Sequence, residues 1–359
     1  MKKVLAIMCL LVAALALPTV ARASESGSEE INPKEIIFHH LGDVYGWEVP
    51  FSHENRIPLP IIVNDADGAW HVFSSARVQH SDFVDGNVTY RIAHGGDYSG
   101  KVVQIMPDGS EYRPLDLSIT KNVCALLIAA ALVALVTFLL VRFYKRNGKK
   151  APRKGMGFFE MLVSFIYDGV IRDTLKDKAP RFAGYLLTVF FLIFFMNLLG
   201  LVVIFPGGAN LTGNIAVTMT LAICTFLITN IKGNKHYWKD IFWPDVPLWL
   251  KFPIPIMPVI ELFGIFTKPA ALCVRLFANM MGGHMIVIVF TLLIFIFAKF
   301  GAAVLATTTV VSVAFSLFML LLDVLVSFIQ AYVFTMLSTL FISFAVCGGE
   351  HHEPVAQQK

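Results

Sequence analysis

The chain has 359 residues, of which 56% are hydrophobic and only 15% charged, with a mean hydropathy of +0.69. These proportions exclude an ordinary soluble protein and describe one that lives in a membrane. The net charge of +4 averages two opposite parts: residues 24–120 hold 15 acids against 6 Lys/Arg, and residues 121–359 hold 10 against 20. Because the basic residues sit in short loops between apolar runs, they do not form the covered surface of a nucleic-acid binder.

Residues 1–23 read as Lys2 and Lys3, an apolar run from Val4 to Leu17, Pro18, and a small-residue site at Ala21-Arg22-Ala23. That is the pattern of a cleavable secretory signal peptide, with an uncleaved anchor helix as the alternative; either one exports the residues from Ser24 onward. Of the five cysteines, Cys9 falls in this leader and Cys124, Cys224 and Cys273 in apolar runs, leaving Cys347 near an end. No disulfide framework, metal-ligand spacing or cofactor is expected.

Residues 24–120 are polar, with short β-branched or alternating stretches at Ile57–Val63, Trp70–Phe73, Asn87–Ile92 and Lys101–Met106, separated by Gly-containing turns. The expectation is a small β-rich, periplasmic module. Six histidines (His39, His40, His53, His71, His80 and His94) lack metal-binding spacing and are assigned surface and packing roles. The run from Gly95 to Lys101 has phosphate-loop spacing, but Val102 stands where a Ser/Thr would hold magnesium and no helix-forming run comes after it; a hairpin turn is expected.

Asn122 to Val141 is 20 uncharged residues, enough to cross a hydrocarbon core of about 30 Å. Arg142, Lys145, Arg146, Lys149, Lys150, Arg153 and Lys154 come next with no acid among them, which places that end in the cytoplasm and the module in the periplasm. The first transmembrane helix is thus assigned to 121–143. Residues 144–180 form a basic loop and, from 156 to 178, an amphipathic helix lying in the interface. The membrane core occupies 181–347, with Phe182–Phe205 crossing outward, a turn at Pro206-Gly207-Gly208, and Asn214–Ile231 returning. Trp238, Trp243 and Trp249 are placed at the interface.

The last two apolar stretches, Ile256–Ala298 and Ala302–Val346, are each about 60 Å as helix, twice the membrane thickness. This hairpin, 256–346, must tilt or bend; Pro258, Pro269 and Gly282-Gly283 are candidate bend points, and Gly301 marks the turn. A cytoplasmic tail occupies 348–359. The fold class is therefore an all-α polytopic membrane protein. It has about five crossings, one interfacial amphipathic helix, long tilted last helices and a small β-rich N-terminal extramembrane domain.

Arg275 has no other charged residue within six positions on either side. An arginine at a helix centre costs about 2.5–3.5 kcal/mol on insertion scales and cannot escape by losing its proton. Snorkelling is the alternative, but the mid-segment position leaves Arg275 far from either end. On a helical projection Lys268, Arg275, Asn279 and Gly282 share a stripe with nearby small residues, a face that lets another helix approach. On the next stretch Ser316, Asp323, Ser327, Gln330 and Phe334 share a face. Asp323 is the sole acid between Glu261 and Glu350, and His284 the sole histidine there. Opposed across an antiparallel hairpin, His284 and Asp323 would make a proton-exchangeable pair, or a buried pair holding two helices together.

The run from Arg275 to His284, with Glu261 and Lys268-Pro269 before it and Gln330-Ala331-Tyr332-Val333-Phe334 after it, closely resembles subunit a of F-type ATP synthases. Met196–Leu201 and Thr212-Gly213-Asn214 are similar to the same family, and the resemblance spans about 156–347. His39–Trp47 and Ile57-Pro58-Leu59-Pro60 look like bacterial members with an extended N-terminus. By that resemblance Arg275 is the essential stator arginine facing the c-subunit ring, with Gln330 as its neighbour. His284, Asp323 and Asn279 line the periplasmic half-channel, in company with Ser327, and Glu261 lies near the cytoplasmic exit. Asp323 is one methylene shorter than the Glu of many members with His at the first position, so a bridging water is expected.

The implied partners are the c-ring, the b subunits of the peripheral stalk, the rest of the complex and membrane lipid, in a bacterial inner membrane, with no nucleic acid. The chain itself is expected to be non-catalytic. The alternative is a secondary ion or anion transporter with an intramembrane arginine site, which predicts paired broken helices in internal repeats; none is visible. An intramembrane hydrolase using His284 and Asp323 would need a nucleophile or second metal ligand that is missing. A receptor or structural anchor would explain residues 24–120 but not Arg275.

Overall fold

The computed structural model describes residues 42–49, 52–79, 81–86, 88–93, 98–148, 150–152, 155–202, 207–242, 256–297 and 302–347. The leader, the tail 348–359, His39, His40, His80, His94, Gly95–Asp97, Pro206, Trp243, Trp249 and Gly301 lie outside the described residues, as does the side chain of His53. The chain divides into two compact units, one made of Asp43–Phe277 with Ser327–Lys359 and the other containing Ala278–Val326.

Among the described residues, the first unit begins with nine short strands. These are β1 (Gly46–Val49), β2 (Ser52–Pro58), β3 (Pro60–Asn64), β4 (Trp70–Ser74), β5 (Phe83–Asp85), β6 (Val88–Ile92), β7 (Val102–Ile105), β8 (Glu111–Tyr112) and β9 (Leu115–Asp116). They pair as β1-β2, β4-β3-β9 and β5-β6-β7-β8, every pairing antiparallel. Alternation decides which face is inside: Ile61, Val63 and Phe73 are buried with Tyr45, Val78, Tyr90 and Val102 in one core. The stretch expected as one strand from Ile57 to Val63 is two. Pro58 and Pro60 supply no N–H to a ladder, and Leu59 between them donates its N–H to Ser75 Oγ at 3.0 Å. The turn from Tyr98 to Gly100 joins β6 to β7, and Gly100 there adopts φ +76°.

His71 has more than a packing role. Its Nδ1 lies 2.9 Å from Asp85 Oδ2, its Nε2 3.2 Å from Asp65 Oδ2, and its ring packs on Tyr90. Asp65 also accepts from the N–H groups of Asp67 and Ala69 through Oδ1, closing the β3-β4 turn. The bond to Asp85 foremost, helped by Asp65 and opposed by burial, raises the His71 pKa above its ordinary 6.5. Imidazolium has two N–H donors, whereas neutral imidazole would aim a lone pair at a carboxylate. A raised folded pKa gives stability that is fully present below the unfolded value and lost as pH rises through the folded one. Hydrogen exchange at the β3-β4 hairpin, corrected for its intrinsic rate, is therefore expected to speed up across that interval. His71→Ala should abolish the pH dependence; an equal pH response in the variant contradicts this reading.

Helix α1 (Lys121–Asn147) begins a few residues after β9. Thr120 caps its N-terminus by accepting from Val123 N–H, and Gly148 ends it at φ +62°. Three contacts fasten the strands to the helical part. Lys121 N–H donates to the Val44 carbonyl at 3.0 Å, Asn122 N–H to Asp43 Oδ1 at 3.2 Å, and buried Trp47 Nε1 to the Gly207 carbonyl at 2.7 Å.

Helix α2 (Gly155–Ile166) runs into a π-helical stretch at Tyr167–Arg172, single turns at Asp173–Leu175 and Lys176–Lys178, and then α3 (Ala179–Leu201). The break lies inside the region expected to be interfacial, and Lys176 (φ 48°) is the lone non-glycine at positive φ among the described residues. Helix α3 is the hub of the unit. Its buried residues, among them Phe190, Phe194 and Met196, pack against Ala125 and Ala129 of α1, while Phe328 meets the Phe190 and Phe194 rings edge-on. Lipid is as apolar as these side chains, so close packing and hydrogen bonds hold such helices together more than water exclusion does.

Helix α4 (Ile215–Ile231) is 17 residues, and α5 (Lys235–Phe242) leaves it at a 102° bend. Helix α4 buries a hydroxyl stripe of Thr218, Thr225 and Thr229. Helices α6 (Ile256–Phe297) and α7 (Ala302–Cys347) complete the chain, with Pro269 inside α6 and no interruption of the helix there. Among the described residues, four helical stretches are long and apolar enough to cross a membrane, or five if α4 and α5 count together.

Candidate functional site

In the first unit, Arg275 lies on α6 between inward-facing neighbours. Leu272, Cys273 and Leu276 are buried, while Val274 and Arg275 are exposed on the chain's own surface. The spacing follows from helical periodicity: positions 272, 273 and 276 fall on the packed face, and 275 does not. Cys273 Sγ is 3.4 Å from Thr218 of α4, and buried Gln330 of α7 donates from Nε2 to the Arg275 carbonyl at 3.0 Å. Gln330 thus pins the backbone that carries the guanidinium and leaves the guanidinium facing outward.

Beneath Gln330 on α7, buried Ser327 lends its carbonyl to Asn197 Nδ2 at 3.5 Å, and Asn197 Oδ1 accepts from Thr212 Oγ1 at 2.7 Å. This fixes α7 to α3 and to the loop before α4. Gly207 and Gly208 let that loop fold back: a Cβ on Gly207 would collide with the Val202 carbonyl, and Gly208 takes φ +77° while donating to the Leu199 carbonyl. Farther along α7, Ser338 and Tyr185 of α3 meet at Thr225 of α4, and Ser343 donates to the Thr174 carbonyl. Lys178 Nζ donates to the Val346 carbonyl at 3.0 Å. Arg275 therefore stands on a rigid support.

Glu261 is half-buried on α6, two turns short of Lys268, which is exposed. Lys268 lines a cavity of about 30 Å³ with Thr225, Thr229, Asn230 and Tyr237. That is room for a water among several polar partners.

The second unit is a helical hairpin. Phe290 stacks on Phe315 with ring centroids 5.4 Å apart, and Gly283 faces Asp323, a descending register that makes its arms antiparallel. The fit at Gly283 is close: a Cβ there would lie 2.6 Å from Asp323 Oδ1. Only a missing side chain lets the carboxylate come against α6 beside His284, so Gly283 is needed for approach. His284 and Asp323 are both half-buried, and Asn279 is exposed one turn before Gly283.

Arg275 and Gln330, expected as neighbours from the sequence, are brought together in the structure, and Asp323 lies on the His284 side of the hairpin. The fastening of Trp47 to Gly207 and the His71 bridge were not anticipated. The alternating pattern around His71, with Asp65 just after β3 and Asp85 at the end of β5, was the available signal for the latter.

With four helical stretches, or five, long and apolar enough to cross a membrane among the described residues, the fold is that of a polytopic helical membrane protein. Residues 124–343 match the family model described as the ATP synthase A chain, and residues 36–117 match one described as a domain of unknown function. ATP synthase subunit a of Myxococcus xanthus is 45% identical over 67% of this chain and 76% of that protein. The subunit a of Chloroherpeton thalassium is 42% identical over 66% and 69%, and that of an Anaeromyxobacter strain 35% identical over 93% and 75%. The chain belongs to the ATP synthase A chain family. It is a multi-pass membrane subunit of an ATP synthase's proton-conducting membrane sector, and the rest of that complex is its partner.

Proposed function

We propose that this chain is the non-catalytic stator of the membrane sector, with two offset half-channels passing protons to and from the carboxylates of a c-subunit ring. The observation that carries the reading is Arg275. It is outward-facing on a helix flank, with its carbonyl held by buried Gln330 and its side chain left exposed among the described residues of its unit. An ionised carboxylate entering a dry interface is costly unless a fixed cation awaits it, and a protonated one can face lipid. A guanidinium that cannot deprotonate supplies the cation and bars direct proton passage. Each carboxylate must then travel round the ring, and the gradient becomes torque.

His284, Asp323, Asn279 and Ser327 serve the periplasmic half-channel, while Glu261, Lys268 and the water-sized cavity beside Lys268 serve the cytoplasmic exit. The basic cluster after α1 supports a cytoplasmic position for that end and a periplasmic one for the strand module, with the C-terminus cytoplasmic and peripheral-stalk b subunits alongside. A titratable His/Asp pair selects H⁺ over Na⁺. Ion flux of the intact complex in proteoliposomes, driven in Na⁺-free and Na⁺-containing media, is expected to acidify in both at equal rates. A strict Na⁺ requirement overturns the assignment of that pair.

A further inference from the structure

The three-stranded sheet β4-β3-β9 packs one face on the module's core and leaves the other uncovered by any described part of the chain. On the uncovered face two rows run straight across the strands. Trp70, Asn64 and Leu115 are paired in register, and beside them run Val72, Ile62 and Leu117, the last donating its N–H to the Ile62 carbonyl. Trp70, Val72, Leu115 and Leu117 are 56–66% exposed, and neither row contains a charge. A contiguous apolar face of this kind on a module with 15 acids is an interaction surface, since the charge is kept off the one place where it would obstruct burial.

The chain connection selects the occupant. Leu117 precedes the first residue of α1 by four positions, at most about 14 Å of chain. That connection is drawn in further, because Thr120 N–H bonds the Ser118 carbonyl and Lys121 N–H the Val44 carbonyl. Asn122 starts the uncharged run that crosses the bilayer, so Lys121 sits at the headgroup level. Trp47, bonded to Gly207 in the loop between two spans, adds a second tie and stops the module from swinging away. We propose that the Trp70/Val72/Leu115/Leu117 face rests on the bilayer leaflet next to it, at the headgroup–acyl boundary of zwitterionic phospholipid. Tryptophan at one edge and leucines at the other suit that depth, and neither row holds a lysine or arginine, with Arg77 at the margin beside Val72, which argues for apolar insertion over attraction to anionic headgroups. This does not depend on any role for Arg275; it requires only that α1 crosses the membrane.

The test uses the intact complex in nanodiscs of phosphatidylcholine brominated near the glycerol, compared with unbrominated lipid. The Trp70 emission is obtained by subtracting the Trp70→Phe complex, which removes the contribution of the other tryptophans. Trp70 emission is expected to lose most of its intensity in brominated lipid. Quenching by aqueous acrylamide without quenching by bromine would show a face open to water, and quenching by neither would show a face covered by protein. Either result overturns the proposal.

Discussion

Arg275→Ala is expected to lower ATP-driven proton pumping and ATP synthesis by about two orders of magnitude or more, while the complex still assembles. A cation about 4 Å from a carboxylate at an effective dielectric of 20 contributes about 4 kcal/mol, close to a thousandfold in the population of the ionised form. Without it each ring carboxylate meets the interface as an uncompensated charge, and rotation stalls there. Assembly is spared because removing a guanidinium from the middle of α6 relieves an insertion cost, and because Leu272, Cys273, Leu276 and the Gln330 bond to the backbone carbonyl remain. ATP-driven proton pumping and subunit content, measured on one preparation, check both halves; undiminished pumping removes the stator assignment.

The second large effect is expected at Asp323. Asp323→Asn keeps the size and the close fit against Gly283 but replaces a titrating group with one that neither takes up nor releases protons at accessible pH. Loss of a positioned acid/base group lowers a proton-transfer rate by about 10²–10⁴-fold; in the half-channel proposed above His284 would stand beside it as a partial substitute, so the lower end is expected. The remaining flux should follow a different pH profile, with His284 as the titratable group left at that position. Initial rates of pumping across the neutral range measure this. Identical rates and an identical profile would remove Asp323 from the path.

Much of this was legible in the sequence because lipid leaves so few options. An arginine in a long apolar run has to be used, and hydropathy alone picks out 121–143, which lies within the helix Lys121–Asn147. Helical periodicity likewise separates Leu272 and Leu276 from Arg275. What stayed hidden depends on packing between elements far apart in the chain. Nothing local in Ile166–Lys178 announces a π-helical stretch, which arises where Val170, Ile171 and Leu175 must all turn inward next to α3. The 17-residue α4 is completed only by a bend whose angle no periodicity encodes. The contact of Gly283 with Asp323 looked, in sequence, like a bend point; its reason is the carboxylate across the hairpin. Trp47 stands in the sequence only as the end of the His39–Trp47 run, and its partner carbonyl lies 160 residues away.

In the proposed stator, the Arg275 guanidinium serves the acids of a moving ring. Imaging of the intact complex in lipid measures this directly, at a resolution that places side chains. Arg275 is expected to point at the c-ring with a ring carboxylate able to come within about 4 Å of it as the ring turns. An Arg275 side chain directed to bulk water or to lipid, with no acid of a neighbouring subunit passing it, would contradict that role.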